Sequence, residues 1–365
     1  MDAAATSRVR GVLDALEQTH AEIALEIGSS PDKLSKSLSG TRKFTTTELA
    51  LIAELGGTTV DWLLTGRQRP TPAIAARSLN SEDPTSAVTG VAKRFSAAHE
   101  QLSMLSSEPR PLRALPALPD VWSYVAQATS LAESTTELLL SNGVDIVGST
   151  DLYSEVERAL DIDVAVVDLP VGIDGCAWQT SDLRMILLAR TSNLARQRFT
   201  FAHELEHILA VDAQNLIAES VDHSSLISEK RANSFAASLL VPERAIRDLC
   251  EGRPSDARFM EMVNHFRVSP TSLAWRLFNL RLIDREAVAR WSELTAEQCL
   301  LHSGLADEIV RDRQRGLSPR FPARLITGHL GAYWNGMTSA RPLASLLDIR
   351  PEQVIESFQP PANLE

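Results

Sequence analysis

Along the first seventy positions apolar residues recur in short bursts at helical spacing. Ile23, Ala24 and Ile27, followed by Leu34 and Leu38, predict two short helices broken at Gly28. Pro31 stands where a first helical turn tolerates it, behind a Ser29–Ser30 cap. Thr45 and Glu48 are spaced as a capping box ahead of LALIAEL, which stops at Gly56–Gly57. A further short helix is expected in TTVDWLLTG, with Trp62 and Leu63 facing in. Beyond a Pro/Ser/Thr-rich connector, Val88, Val91, Phe95, Ala98, Leu102 and Leu105 lie three and four apart and draw one apolar seam over roughly three heptads. Such a seam can meet its copy in a dimer or fold back on its own domain, and the spacing leaves both open.

After a second proline-rich break, Pro111 to Pro119, helical patterns return in VWSYVAQATSLAESTTELLLSN and LYSEVERAL. The period then changes. DIDVAVVDLP, DGCAW and RMILLAR are aliphatic runs separated by turn residues and predict a small sheet. Two long helices follow, in TSNLARQRFTFAHELEHILA and EKRANSFAASLLVP, the second with an apolar stripe of Phe235, Ala236, Leu239 and Leu240. In FMEMVNHFRVSPTSLAWRLFNLRLID, Phe266, Val268, Leu273, Leu277 and Leu280 make an apolar face expected to lie on the preceding domain. The rest is helical and charged, with Arg311, Arg313, Arg315, Arg320 and Arg324 grouped on what reads as a solvated face, and it closes on a two-helix pattern, SARPLASLLDIRPEQVIES. The fold class expected is mainly α with a small β-sheet (α+β). Its parts are 1–70, a linker with an amphipathic helix at 71–118, a core domain at 119–285 and a helical region at 286–365.

Length and composition narrow the function. A chain of 365 residues is too long for one ordinary core, and 44% hydrophobic with 23% charged residues is a globular balance. No run of eighteen apolar residues occurs and the start lacks a secretory core, so no membrane role is expected. Three scattered cysteines, Cys176, Cys250 and Cys299, suit a reducing cytoplasm and argue against an iron–sulfur cluster held by this chain alone. A net charge of -11 excludes a general polyanion binder, so any nucleic-acid contact must come from a local face.

The chemistry concentrates at FTFAHELEHIL. His203 and His207 lie one turn apart, so both imidazoles leave the same helix face and can take adjacent corners around zinc. Glu204 sits beside them, able to reach an attacking water without being a ligand. Glu229 on the next helix is the candidate third ligand, and Asn233, four residues on over the same face, can hold a ligand imidazole by its outer nitrogen. FTFAHELEH followed by ExxANxFAxxLLxP resembles the ImmA/IrrE family of metallopeptidases over about residues 145 to 285. That resemblance implies a zincin-like domain of gluzincin type, loaded with zinc (manganese as an alternative), with His203, His207 and Glu229 as ligands and Glu204 as catalytic base. It implies an XRE-type repressor as peptide substrate. The pattern is departed from at Glu206, where the family commonly has glycine. No donor to an oxyanion stands out: His223, in AESVDHSSL, is the one candidate and reads more readily as an exposed loop histidine, while Cys176 reads as a small buried filler.

At residues 7 to 66, Ala24, Gly28, Leu34, Ser35, Gly40, Ile52, Ala53 and the closing Asp61-Trp62-Leu63-Leu64-x-Gly66 resemble the XRE, lambda-repressor-like helix-turn-helix family. The departure is His20, where a glutamine usually touches DNA. Residues 1–70 carry eight basic against nine acidic side chains, a net of about -1, so only clustering makes a face positive. The candidate DNA-contacting set is Ser30, Asp32, Lys33, Ser35, Lys36, Arg42 and Lys43: cations for phosphates and short polar donors for base edges of a double-stranded operator. Paired half-sites imply a homodimer. Together these readings describe a cytoplasmic DNA-binding transcription regulator carrying a zinc-dependent metallopeptidase-like domain that cleaves a repressor or itself. The alternative is a regulator whose metallopeptidase-like domain is inactive and serves as a structural or ligand- or metal-sensing module.

Overall fold

The computed structural model describes residues 3–16, 18–56, 60–65, 75–76, 84–106, 111–147, 149–211 and 223–359. It divides into two compact units, Met1–Thr71 and Pro72–Glu365. Among the described residues no helix is long and apolar enough to cross a membrane.

The first unit consists of α1 (Ala3–Ala15), α2 (His20–Glu26), α3 (Pro31–Leu38), α4 (Thr46–Leu55) and α5 (Val60–Thr65) around a core that includes Val9, Leu13, Ile23, Leu34, Ile52 and Leu63. The turn between α2 and α3 runs through Gly28 at φ +67°, a left-handed conformation that a side chain would strain. Ser30 caps α3 by accepting from the Lys33 N–H, and Pro31 opens it. The Thr45–Glu48 box forms as expected, with the Thr45 N–H donating to Glu48 at 2.8 Å and the Glu48 N–H to Thr45 Oγ1 at 3.2 Å. A second box, Thr19 with Glu22, starts α2. His20 lies 3.3 Å from Asp14, exposed.

The second unit runs β1 (Ala75–Ala76), α6 (Pro84–Leu105), α7 (Tyr124–Ser141), α8 (Leu152–Leu160), β2 (Asp163–Val167), β3 (Gly175–Gln179) and β4 (Arg184–Ala189). Next come α9 (Leu194–Leu209), α10 (His223–Leu240), α11 (Glu243–Leu249), α12 (Asp256–Phe266), α13 (Pro270–Asn279) and α14 (Arg285–Ser292). It closes with α15 (Ala296–His302), α16 (Ala306–Leu317), α17 (Ala323–Trp334), α18 (Arg341–Leu347) and α19 (Pro351–Ser357). The sheet order is β1-β3-β4-β2, with β2 parallel to β4 and the other pairs antiparallel; Val166 faces Leu188 and Trp178 faces Met185.

The three longer strands are apolar on both sides, so each side needs a cover. Val164, Val166, Ala177, Ile186 and Leu188 join one core with Phe201 and Leu205 of α9, Phe235 and Leu239 of α10, and residues of α12 to α14. Ala165, Val167, Cys176, Trp178, Met185 and Leu187 join a second core with Val88, Ala92, Phe95 and Ala98 of α6, Leu325 of α17 and Leu346 of α18. Of the two readings open for the α6 seam, the structure packs Val88, Phe95 and Ala98 within their own unit, while Leu105 at the end of the seam is exposed. Residues 286–365 do not stand apart as a domain: Trp291 and Cys299 sit in the first core, and α17 and α18 roof the second. The physical reason is that two-faced sheet, whose second side is covered largely by α6 and the C-terminal helices among the described residues. The apolar face of α12 and α13 buries Phe266, Val268, Leu273 and Leu277 in the same core as α9, as expected.

Candidate metal centre

Helix α9 starts at an Asn193 cap, whose side chain accepts from the Arg196 N–H, and lies across β3 and β4. Its apolar residues Phe201, Leu205, Ile208 and Leu209 enter the core, which leaves the polar residues of the turn between them in dry surroundings. His203 and Glu204 are each 4% exposed, His207 is 6% and Glu206 is fully buried. Four buried polar side chains in five positions need partners, and the partners identify the site.

His203 Nε2 and His207 Nε2 are 3.2 Å apart, and each faces one oxygen of Glu229, at 3.3 and 3.4 Å. Around a tetrahedral cation with nitrogen and oxygen ligands at about 2.0–2.1 Å, neighbouring donor atoms stand about 3.3–3.4 Å apart. The imidazole–imidazole separation and both imidazole–carboxylate separations are of that size, the latter two ending on different oxygens of Glu229, so His203, His207 and Glu229 form a three-residue cradle that could hold a divalent cation. Glu229 keeps its charge. Burial alone would raise its carboxyl, but hydrogen bonds and the charges of His203 and His207 outweigh that and hold it well below the usual carboxylate range. Its side chain is 43% exposed, so the cradle opens toward solvent on the α10 side.

Outer partners orient the ligands. His203 Nδ1 stands 3.1 Å from Asn233 Oδ1, which keeps the proton on Nδ1 and turns Nε2 inward. Glu206 is buried and held by Arg231 of α10, with its other oxygen 3.8 Å from His207 Nδ1. The carboxylate at this position thus neither points to solvent nor enters the cradle. It ties the two ligand-bearing helices together and places a negative charge behind His207. Among the residues that reading the sequence did not single out, Arg231 matters most; nothing in its spacing marks it.

Glu204 lies about 60° around the helix from His207, on the side of β3. That approach depends on Gly175. A Cβ there would meet Thr200 Cγ2 at 2.6 Å and Leu187 O at 3.0 Å, and would touch Glu204 Cγ at 3.4 Å. A glycine within a strand is a known sign of close approach, and DGCAW carried it. The neighbouring Cys176 is fully buried, and burial together with the Glu204 charge pushes its thiol well above the ordinary range, so it is an inert filler. The side chain of His223 lies outside the described residues, as does Gly66 of the N-terminal pattern.

In the first unit Lys33, Ser35 and Lys43 are exposed, and Lys36 is paired with Asp32 at 2.7 Å. Ser30 is engaged as a cap. Arg42 is not free for a ligand: it holds Glu48 at 2.9 Å and Ser37 Oγ at 2.8 Å. The C-terminal arginines are paired as well, Arg313 with Glu297, Arg320 with Glu157 and Arg324 with Asp163 among them.

The fold and the donor set make a candidate metal site on two helices laid over a small sheet. Residues 160–278, which contain both ligand-bearing helices, match the family model described as the IrrE N-terminal-like domain. No curated protein matches the chain.

Proposed function

We propose that this chain is a zinc-dependent endopeptidase joined to a DNA-binding head, and that it works as a transcription regulator by cutting an XRE-type repressor or itself. The observation that carries the peptidase reading is the convergence of His203, His207 and Glu229, the two Nε2 atoms 3.2 Å apart and each within 3.4 Å of a Glu229 oxygen. Two imidazoles and one carboxylate suit zinc better than manganese, which favours oxygen-rich octahedral sites. When bound there, zinc would polarise a peptide carbonyl and acidify water. The side chains do the rest. Glu204 takes a proton from the attacking water and passes it to the leaving amide nitrogen. The apolar residues beside it exclude bulk water, and the Asn233 and Glu206 contacts keep both imidazoles facing inward.

A substrate in the same chain is supported by β1: the backbone at Ala75 and Ala76 pairs antiparallel with Ala177 and Cys176, next to the strand position that abuts Glu204. For the head, the support is exposed Lys33 and Ser35 with the Asp32–Lys36 pair on α3, and exposed Lys43 in the loop that follows it. A homodimer on a double-stranded operator would have to form through a surface other than the α6 seam.

The decisive experiment measures metal content of purified wild type and His203→Ala, then cleavage of candidate repressors and of the chain itself with zinc, manganese or chelator. The expected result is about one zinc per wild-type chain, loss of it in His203→Ala, and cleavage that Glu204→Gln abolishes while keeping the metal. Metal retention with every substrate intact under all conditions would instead assign the domain a sensing or structural role. A salt-dependent gel shift lost in a Lys33→Ala/Lys36→Ala variant tests the head separately.

A further inference from the structure

A cavity of about 480 Å³ lies on the second unit away from the metal cradle, between the start of α8, the first turns of α9, the end of α16 and the segment leading to Arg320. That size is in the range of small-molecule sites. Five arginines line it, Arg198, Arg267, Arg311, Arg315 and Arg320, against a single acid, Asp151. Three of the five are neutralised by neighbours: Arg311 by Glu308, Arg315 by Glu308 and Asp312, and Arg320 by Glu157. Asp151 is engaged as the cap of α8.

The other two are different. Arg198 is 4% exposed, and among the described residues neither it nor Arg267 has a carboxylate within ion-pair distance. One terminal nitrogen of Arg198 donates to the Ile146 carbonyl at 3.2 Å, while its buried Nε–H meets no acceptor among the described residues. Burial pushes this guanidinium down to about 10, so it is still a cation at neutral pH; Tyr153 and the more distant Asp312 pull it back up, and the Arg267 charge pushes it further down. A buried, half-satisfied guanidinium is costly to keep, and a second cation facing the same cavity makes it costlier.

We propose that this cavity is a binding site for a small oxyanionic molecule, one presenting a phosphate or carboxylate group to Arg198 and Arg267. A planar guanidinium fork matches either group bidentately. The paired arginines around it set a polar rim, and Leu152, Tyr153 and Val166 supply an apolar wall. The site does not depend on metal loading or on peptidase activity. Arg198 lies about 140° around α9 from His203, so ligand and metal would occupy different sides of one helix.

Calorimetric titration of the full chain with inorganic phosphate and with citrate, each against chloride at equal ionic strength, tests this. Saturable binding at one site per chain is expected for at least one of them, and the tighter arm tells phosphate from carboxylate recognition. Arg267→Gln, at a half-exposed position, should weaken that binding about tenfold or more. Arg198→Met should do the same if it folds, and Arg313→Gln, outside the cavity, should leave it unchanged. The proposal is overturned if neither anion binds better than chloride, or if Arg267→Gln binds as wild type does.

Discussion

Replacing Asn233 by alanine asks whether the cradle is held in shape by its outer contacts. Asn233 Oδ1 stands 3.1 Å from His203 Nδ1, and this contact fixes which ring nitrogen carries the proton. Without it the imidazole can turn or change tautomer, and loss of such a partner weakens metal binding about 10–100-fold, about 1.4–2.8 kcal/mol. The same loss reads out as stability, because the cation binds the folded chain. At free zinc about 100 times the wild-type Kd, binding adds about 2.7 kcal/mol. With a Kd about thirtyfold weaker, the same zinc adds only roughly 0.9 kcal/mol. The zinc-induced rise in Tm should therefore shrink by about 4 °C for a unit of this size. Chelator-competition titration gives the affinity, and thermal unfolding with and without zinc gives the linked shift. Asn233 is only half-buried, so the metal-free Tm should barely move, and Asn233→Asp, which keeps the acceptor, should recover most of the affinity. An alanine variant that binds zinc within twofold of wild type and shows an undiminished shift would refute the reasoning.

Further outcomes follow from other contacts. Gly175→Ala puts a methyl 2.6 Å from Thr200 Cγ2, so chemical denaturation should show a loss of about 1–3 kcal/mol, partly recovered when Thr200→Ala is added. Arg231→Met leaves buried Glu206 without its cation and should cost about 3–5 kcal/mol, whereas the double variant with Glu206→Leu should recover much of it; equal losses in both would sink the idea of a buried pair. Phe95→Ala in α6, fully buried against the sheet, should cost about 3–5 kcal/mol with a Tm independent of protein concentration, since the seam is intramolecular.

The pH-linked case is Glu48. Burial raises its carboxyl, but the Arg42, Thr45 and Ser29 hydrogen bonds outweigh that and take it from 4.5 down to about 2. A depressed folded-state value means stability that is complete above about 4.5 and lost as pH falls toward 2, on the order of 3 kcal/mol at neutral pH. Glu48→Gln should thus destabilise the first unit at pH 7 and converge with wild type near pH 2 in circular dichroism melts.

The local elements could be read from the chain because their causes are local. Helix starts at Ser30 and Thr45 follow from caps that act over three residues, the strands from their β-branched and aliphatic runs, and the histidine pair from one turn of helix. Glu229 and Asn233 were also legible, since both lie on one face of a helix with a clear apolar stripe. The pairing of Arg42 with Glu48 was not legible, because a cation in a basic stretch looks free until the position of its partner is known.

What the sequence determined by itself is therefore most of the helices, the three longer strands and the candidate donor residues; the short β1 in the connector was not among them. Tertiary structure decided where the apolar seam of α6 goes, that the C-terminal helices complete the same body, and that Glu206 meets Arg231 across two helices. It also decided that Arg198 lines a cavity with no direct ion-pair partner among the described residues and its Nε–H unmet. These outcomes turn on which surfaces meet across long stretches of chain, and the meeting is set by total burial on the two sides of the sheet. Neither spacing nor composition encodes it position by position.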